Sequence, residues 1–236
     1  MTVQTDLRGI EPASDLARRL GLSFSRPSLL IRALTHRSYV NEHPDALEDN
    51  ERLEFLGDAV LDFVVGAWVY KRFPEMPEGD LTRVRSALVC NERLAVFARQ
   101  FDLGRAMRLG RGELGSGGRD RDNLLGSTFE AVVGAFYLEA GLEKVEGWIR
   151  PLLDNARETI LNEIQDPKSQ LQEWTQAQKI GTPTYRVVGT NGPDHAKVFE
   201  VEVAIGQRVF GRGTGPSKQT AERAAALDAL ARLGLE

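Results

Sequence analysis

NERLEFLGDAVLD, residues Asn50–Asp62, has the apolar spacing of an amphipathic helix, with Leu53, Leu56 and Val60 on one side. Roughly opposite run three carboxylates, Glu51, Glu54 and Asp58, at i, i+3 and i+7. At about 100° per residue they fall within about 60° of each other. Like charges so placed repel by a few tenths of a kcal/mol each. Two readings follow. The stripe is a solvated face, or it is built to hold a cation. Two neighbours weigh against a merely solvated face. Gly57 sits mid-helix at a cost of about 1 kcal/mol, which suits close approach by another element. Phe55 flanks the acidic stripe and needs a partner, either a helix or another subunit.

Working outward, the chain reads as helical up to about residue 163. Apolar i, i+3/i+4 spacing predicts helices over Asp15–Leu22, Arg26–Ser38, Asn50–Phe73, Asp80–Phe101, Asn123–Ala140 and Val145–Glu163. Asp80 is the expected N-cap of a helix beginning at Leu81. The texture changes at Gln165-Asp166-Pro167. A helix over Lys168–Lys179 precedes three strand-like runs, Thr184–Gly189, Val198–Ala204 and Val209–Gly213. Val201, Val203 and Ile205 alternate with Glu202 and Ala204, the period of a half-buried strand. A last helix runs Ser217–Leu233. The expected architecture is multidomain: an all-α domain over 1–163, a linker over 164–167, and a compact α-β-β-β-α domain of the α+β class over 168–236.

Composition narrows the function. The chain has 236 residues, 42% hydrophobic and 27% charged, which is ordinary soluble composition. No apolar run approaches a membrane span, and MTVQTDLRGIEP does not read as a signal peptide. One cysteine, Cys90, excludes an internal disulfide; it lies in an apolar stretch read as helical core. A cytoplasmic location is expected. His36, His43 and His195 show no zinc-ligand spacing. Net charge is −4, against a generally basic nucleic-acid binder, but the charge is uneven: residues 166–236 carry 9 Lys+Arg against 8 Asp+Glu, and residues 1–165 carry 21 against 26.

A second acidic element supports the cation. In NLLGSTFEAVVGAFYLEA, Asn123–Ala140, Glu130 is set among Phe129, Ala131, Val132 and Val133. A lone carboxylate in such a setting is costly unless it is paired or binds metal. Gly126, Ala131, Gly134 and Ala135 keep this helix thin. If it packs on the Asn50–Asp62 helix, Glu54, Asp58 and Glu130 converge on one hard cation, Mg2+ or Mn2+, of the kind that serves phosphoryl chemistry. Otherwise Glu130 is an ordinary half-exposed helix residue.

NERLEFLGDAVLD resembles the signature of bacterial ribonuclease III, the double-stranded-RNA endonuclease. Further segments match in order: ALTHRSYVNE (Ala33–Glu42), PEGDLTRVRSALV (Pro77–Val89), GRGELGSGG (Gly110–Gly118) and STFEAVVGAFYL (Ser127–Leu138). The C-terminal unit resembles a double-stranded-RNA-binding domain. The resemblance implies a homodimeric, Mg2+-dependent endoribonuclease of rRNA and mRNA processing, with Mn2+ able to substitute. It implies 5′-phosphate and 3′-hydroxyl products with short 3′ overhangs, and neither a membrane nor a small-molecule cofactor. Glu54, Asp58 and Glu130 match metal ligands, Asp58 and Glu130 also acting in catalysis. Glu51 and Glu78 match further acidic positions of the catalytic valley, and Phe55 the aromatic inserted into the partner subunit.

One position departs from the family pattern. Ser127 stands where a metal-ligand aspartate is usual. Water held by Ser127 could complete the coordination, another carboxylate such as Asp62 or Asp122 could lean in, or cleavage could be impaired. The last would leave a protein that binds duplex RNA without cutting it. In the C-terminal domain Gln172 and Gln176 match positions that reach 2′-hydroxyls and base edges, and His195 the loop that enters a minor groove. Ser217, Lys218 and Gln219 open the last helix, whose N-terminus suits a phosphate. Gln219 replaces a residue that is commonly basic, so modest, salt-sensitive affinity is expected. Trp174 and Phe199 are read as core.

Overall fold

The computed structural model describes residues 9–46, 48–164, 166–193 and 197–235. The chain forms two compact units, Met1–Arg157 and Glu158–Glu236. Among the described residues no helix is long and apolar enough to cross a membrane.

The first unit is helical: α1 (Ala13–Leu20), α2 (Pro27–Ala33), α3 (Arg37–Glu42), α4 (Glu51–Arg72), α5 (Glu78–Val89), α6 (Asn91–Gln100), α7 (Arg111–Gly115), α8 (Asp122–Ala140) and α9 (Leu142–Ile164), whose end passes into the second unit. Its centre is α8. Leu125, Phe129, Ala131, Val132, Val133 and Ala135 are all buried, so this helix is apolar nearly all round, as a helix enclosed by others must be. Phe129 is fully buried beside Phe97 and stacks on Trp148, with ring centroids 5.7 Å apart. Such burial contributes about 1.5–3 kcal/mol per side chain.

Two predicted elements and one predicted cap differ. The Arg26–Ser38 stretch is two helices, α2 and α3. The break falls where Thr35 bridges to Arg108 and where His36 Nδ1 caps α3 by accepting from the Ser38 N–H at 3.2 Å. The Asp80–Phe101 stretch is also two helices, parted at Cys90, whose ψ of 152° is extended. Cys90 is thus half-buried at a corner rather than inside a helix. Asp80 is not the cap of its helix. The helix opens at Glu78 behind Pro77, and Asp80 lies in its first turn.

The second unit holds α10 (Pro167–Ala177), β1 (Pro183–Asn191), β2 (Val198–Ile205), β3 (Arg208–Gly215) and α11 (Lys218–Leu233). The strands form one antiparallel sheet in the order β1-β2-β3, and Val187 opposes Val201. Val201, Val203, Leu171 and the alanines of α11 make the core, with Trp174 and Phe199 packed against it. Gly211, Gly213 and Gly215 alternate on β3 and face α11. A Cβ at Gly211 or Gly213 would collide with the α11 backbone near Ala221–Ala229, so α11 lies directly on the strand.

Candidate active site

The phase of the acidic stripe is set where α4 begins. Arg32 Nε donates to the Asp49 carbonyl at 3.1 Å, and the Asp49 carboxylate accepts from the Glu51 N–H at 3.2 Å. Asn50 between them is buried. From there the helix carries Glu54 and Asp58 to either side of Gly57.

Gly57 is the point of contact with α8. A Cβ there would fall on the Glu130 carbonyl and 3.0 Å from the Gly134 N; a Cβ on Gly134 would strike the Leu53 carbonyl. Two helices crossing backbone to backbone bring Glu130 between the turns that carry Glu54 and Asp58. The electrostatics follow. Glu130 has its carboxyl pushed up to about 7, first by burial, then by Asp58 and by Glu54.

Ser127, one turn before Glu130, donates its hydroxyl proton to Glu54 Oε1 at 2.8 Å. Of the two carboxylates that could lean in, Asp122 is held by Arg99, and Asp62 is exposed on α4. Among the described residues no three His, Cys, Asp or Glu are gathered closely enough to hold a metal ion. Glu54, Asp58 and Glu130 thus feel one another without being drawn together. Their donor chemistry nevertheless fits a hard divalent cation: all are carboxylate oxygens, and the half-buried Glu130 gains most from a positive neighbour.

Glu51 and Glu78 stand apart from that group. Glu51 is exposed one turn earlier on the stripe and lies 3.4 Å from Arg37. Glu78 is the exposed first residue of α5. Phe55 is 78% exposed, and the same face of α4 carries Phe63 at 62% and Tyr70 at 74%. Phe63 and Tyr70 were missed in the sequence reading, although their spacing from Phe55 holds to one helix face and could have found them.

In the second unit Gln172 and Gln176 are exposed one turn apart on α10. Ser217 caps α11 by accepting from the Thr220 N–H at 3.1 Å, and Lys218 and Gln219 are exposed in its first turn. His195 lies outside the described residues. Much of this unit's positive charge is paired internally. Lys168 meets Glu222, Arg223 meets Asp166, and Arg186 and Arg212 both meet the buried Glu202.

Comparison with known proteins gives a consistent result. The model of the family described as Ribonuclease-III-like matches residues 26–156, and the double-stranded RNA binding motif matches residues 167–233. The curated protein Ribonuclease 3 of Symbiobacterium thermophilum is 48% identical, over 91% of this chain and 91% of its own length. That of Roseiflexus sp. is 45% identical, over 92% and 93%. A solved nuclease domain of ribonuclease III from Campylobacter jejuni matches with a TM-score of 0.56 and 38% identity, over 61% of this chain and 96% of that one. Its description concerns structural flexibility in a region involved in dimer formation.

Proposed function

The chain belongs to the ribonuclease III family, and from that premise we propose how this endonuclease of double-stranded RNA works. Residues 1–163 form the nuclease and dimerisation domain, 164–167 a linker, and 168–236 the RNA-binding domain. Glu54, Asp58 and Glu130 would hold Mg2+, or Mn2+ in its place, and Ser127 would contribute through a water. A divalent cation held there makes water a stronger acid and offsets charge on the phosphate.

The chain's own residues prepare that site. The Gly57–Gly134 crossing seats the Glu130 backbone against α4, so its carboxyl is placed by the fold rather than by a flexible loop. Ser127 orients Glu54 by donating to its Oε1, and Oε2 remains as the oxygen that would be offered to a cation. Glu130, its carboxyl raised to about 7 by burial and by its two acidic neighbours, can hold a proton there near neutral pH. Glu51 and Glu78 line the approach. Gln172, Gln176, His195, Ser217, Lys218 and Gln219 hold the duplex by its shape and phosphates. Two subunits joined through Phe55 each cut one strand, leaving 5′-phosphate and 3′-hydroxyl ends with a short 3′ overhang, in rRNA and mRNA processing in the cytoplasm.

The observation that carries this reading is the Gly57–Gly134 crossing, which sets the half-buried Glu130 against the helix of Glu54 and Asp58, where burial, then Asp58 and Glu54, raise its carboxyl. The test is a long RNA duplex incubated with and without Mg2+ and resolved on a gel. Short duplexes bearing 5′-phosphates support the reading. Ser127 in the place of a carboxylate favours a second outcome: a duplex bound and left intact at every Mg2+ and Mn2+ concentration. That outcome would mean a protein that presents RNA rather than cutting it.

A further inference from the structure

A stripe of carboxylates is a poor landing place for a polyanion, so the valley needs cations at its rim. Arg37 stands at that rim. Its guanidinium lies 3.4 Å from Glu51, the first carboxylate of the stripe, and the two side chains are 70% and 57% exposed. A pair so exposed contributes too little to count as a fastening of the fold.

The backbone beneath Arg37 is firmly held. His36 caps α3, and its Nδ1 pairs with Ser38 Oγ at 2.8 Å. Ser38 Oγ accepts from the Gly110 N–H at 2.9 Å, and Glu42 Oε1 accepts from the Arg111 N–H at 2.9 Å. Tyr39 is buried. A long, solvated arginine on a short, rigid helix beside the valley can change partners without moving the fold. Its planar fork of donors matches a phosphate better than it matches one carboxylate oxygen at 3.4 Å.

We propose that Arg37 is a positioning residue for the substrate, parked on Glu51 and transferred to a backbone phosphate of the duplex when RNA enters the valley. The proposal rests on the reading of the chain as an endonuclease of double-stranded RNA. The exchange leaves Glu51 unpaired, so a second positive group of the complex can take its place.

Two measurements on the full-length protein test it. The first is steady-state cleavage of a short RNA duplex at several KCl concentrations. The second is fluorescence anisotropy of the same duplex in EDTA, which needs no cleavage. Arg37→Ala should raise KM about tenfold and leave kcat within about twofold. It should weaken binding in EDTA in parallel and lower the salt slope by about one unit per arginine engaged. Arg37→Lys, which keeps the charge and loses the fork, should fall between. The melting temperature should not move. An unchanged KM and salt slope would overturn the proposal, and so would a fall in kcat alone, which would assign Arg37 to holding Glu51. If the unaltered protein leaves the duplex whole with Mg2+, cleavage itself has failed. The anisotropy comparison still decides Arg37.

Discussion

The Ser127 hydroxyl donates to Glu54 Oε1 at 2.8 Å, so the residue in the place of a proposed ligand is bonded to another proposed ligand. The site carries one negative charge fewer than the family pattern, while Glu54 stays oriented. Ser127→Asp should lower the Mg2+ concentration for half-maximal cleavage by about threefold to tenfold, because ligand charge tunes affinity for hard cations. Ser127→Ala should raise it. Cleavage rates across a Mg2+ titration check both. An unchanged or higher requirement in Ser127→Asp would mean that another group already fills the position.

Glu130 gives a prediction in pH. Its carboxyl is raised from 4.5 to about 7 in the folded chain. It therefore binds its proton more tightly folded than unfolded. The stability it contributes is complete below about pH 4.5 and is lost as pH rises through about 7. In EDTA, Glu130→Gln should melt higher than the unaltered protein at pH 8, with the gap closing toward pH 4.5. Proton and cation compete, so the Mg2+ requirement of the unaltered enzyme should rise as pH falls below about 7. With Mg2+ present, Glu130→Gln should not cleave; substantial cleavage would remove Glu130 from the ligands.

Glycines at two positions of α4 should behave oppositely. Gly57→Ala drives a Cβ into the Glu130 carbonyl and should cost about 1–3 kcal/mol or more. At Gly66 the nearest atom to a new Cβ is Arg85 Cδ at 3.8 Å, an ordinary contact. Gly66→Ala should therefore be neutral or stabilise by up to about 1 kcal/mol through helix propensity. Urea unfolding of both variants gives the comparison. Equal effects would show that the crossing can open.

The Tyr185 hydroxyl is buried without a hydrogen-bond partner. Burial, then Asp166 and Glu222, pushes its pKa up to about 12. Removing an unsatisfied buried group relieves its desolvation cost, so Tyr185→Phe should be neutral or stabilise by about 1 kcal/mol. A clear loss in thermal unfolding would reveal a water that the hydroxyl holds.

Phe55→Glu places a charge on the apolar face shared with Phe63 and Tyr70. If that face joins two subunits, the dimer dissociation constant should rise at least about thirtyfold. Sedimentation at several concentrations measures it, and an unchanged dimer would move the interface elsewhere.

Much of this was legible in the chain because the signals were periodic. The 3.6-residue spacing of α4 and α8 and the alternation of β2 need only local pattern, and they placed Glu54, Asp58 and Glu130 on facing elements. Gly57 and Gly134 hinted at close approach, but which backbone atoms meet is a property of the packed pair. The bond between Ser127 and Glu54 joins residues 73 positions apart, and that between Arg37 and Glu51 joins two separate helices, so helical periodicity pairs neither. The breaks at Thr35–His36 and at Cys90 were hidden for the opposite reason. Their apolar spacing runs on across the corner, and only the bridge to Arg108 and the extended Cys90 backbone end the helices.

The alternating glycines of β3 also bear on how the chain can misassemble. A slip of one residue would turn Arg212 and Thr214 under α11, where there is room for no side chain. A slip of two would bring glycine back to glycine over part of the strand, so helix contact alone does not reject it. What breaks that degeneracy is the irregularity in the β2–β3 pairing between Val203 and Ala204, a notch that fits the neighbouring strand in one setting.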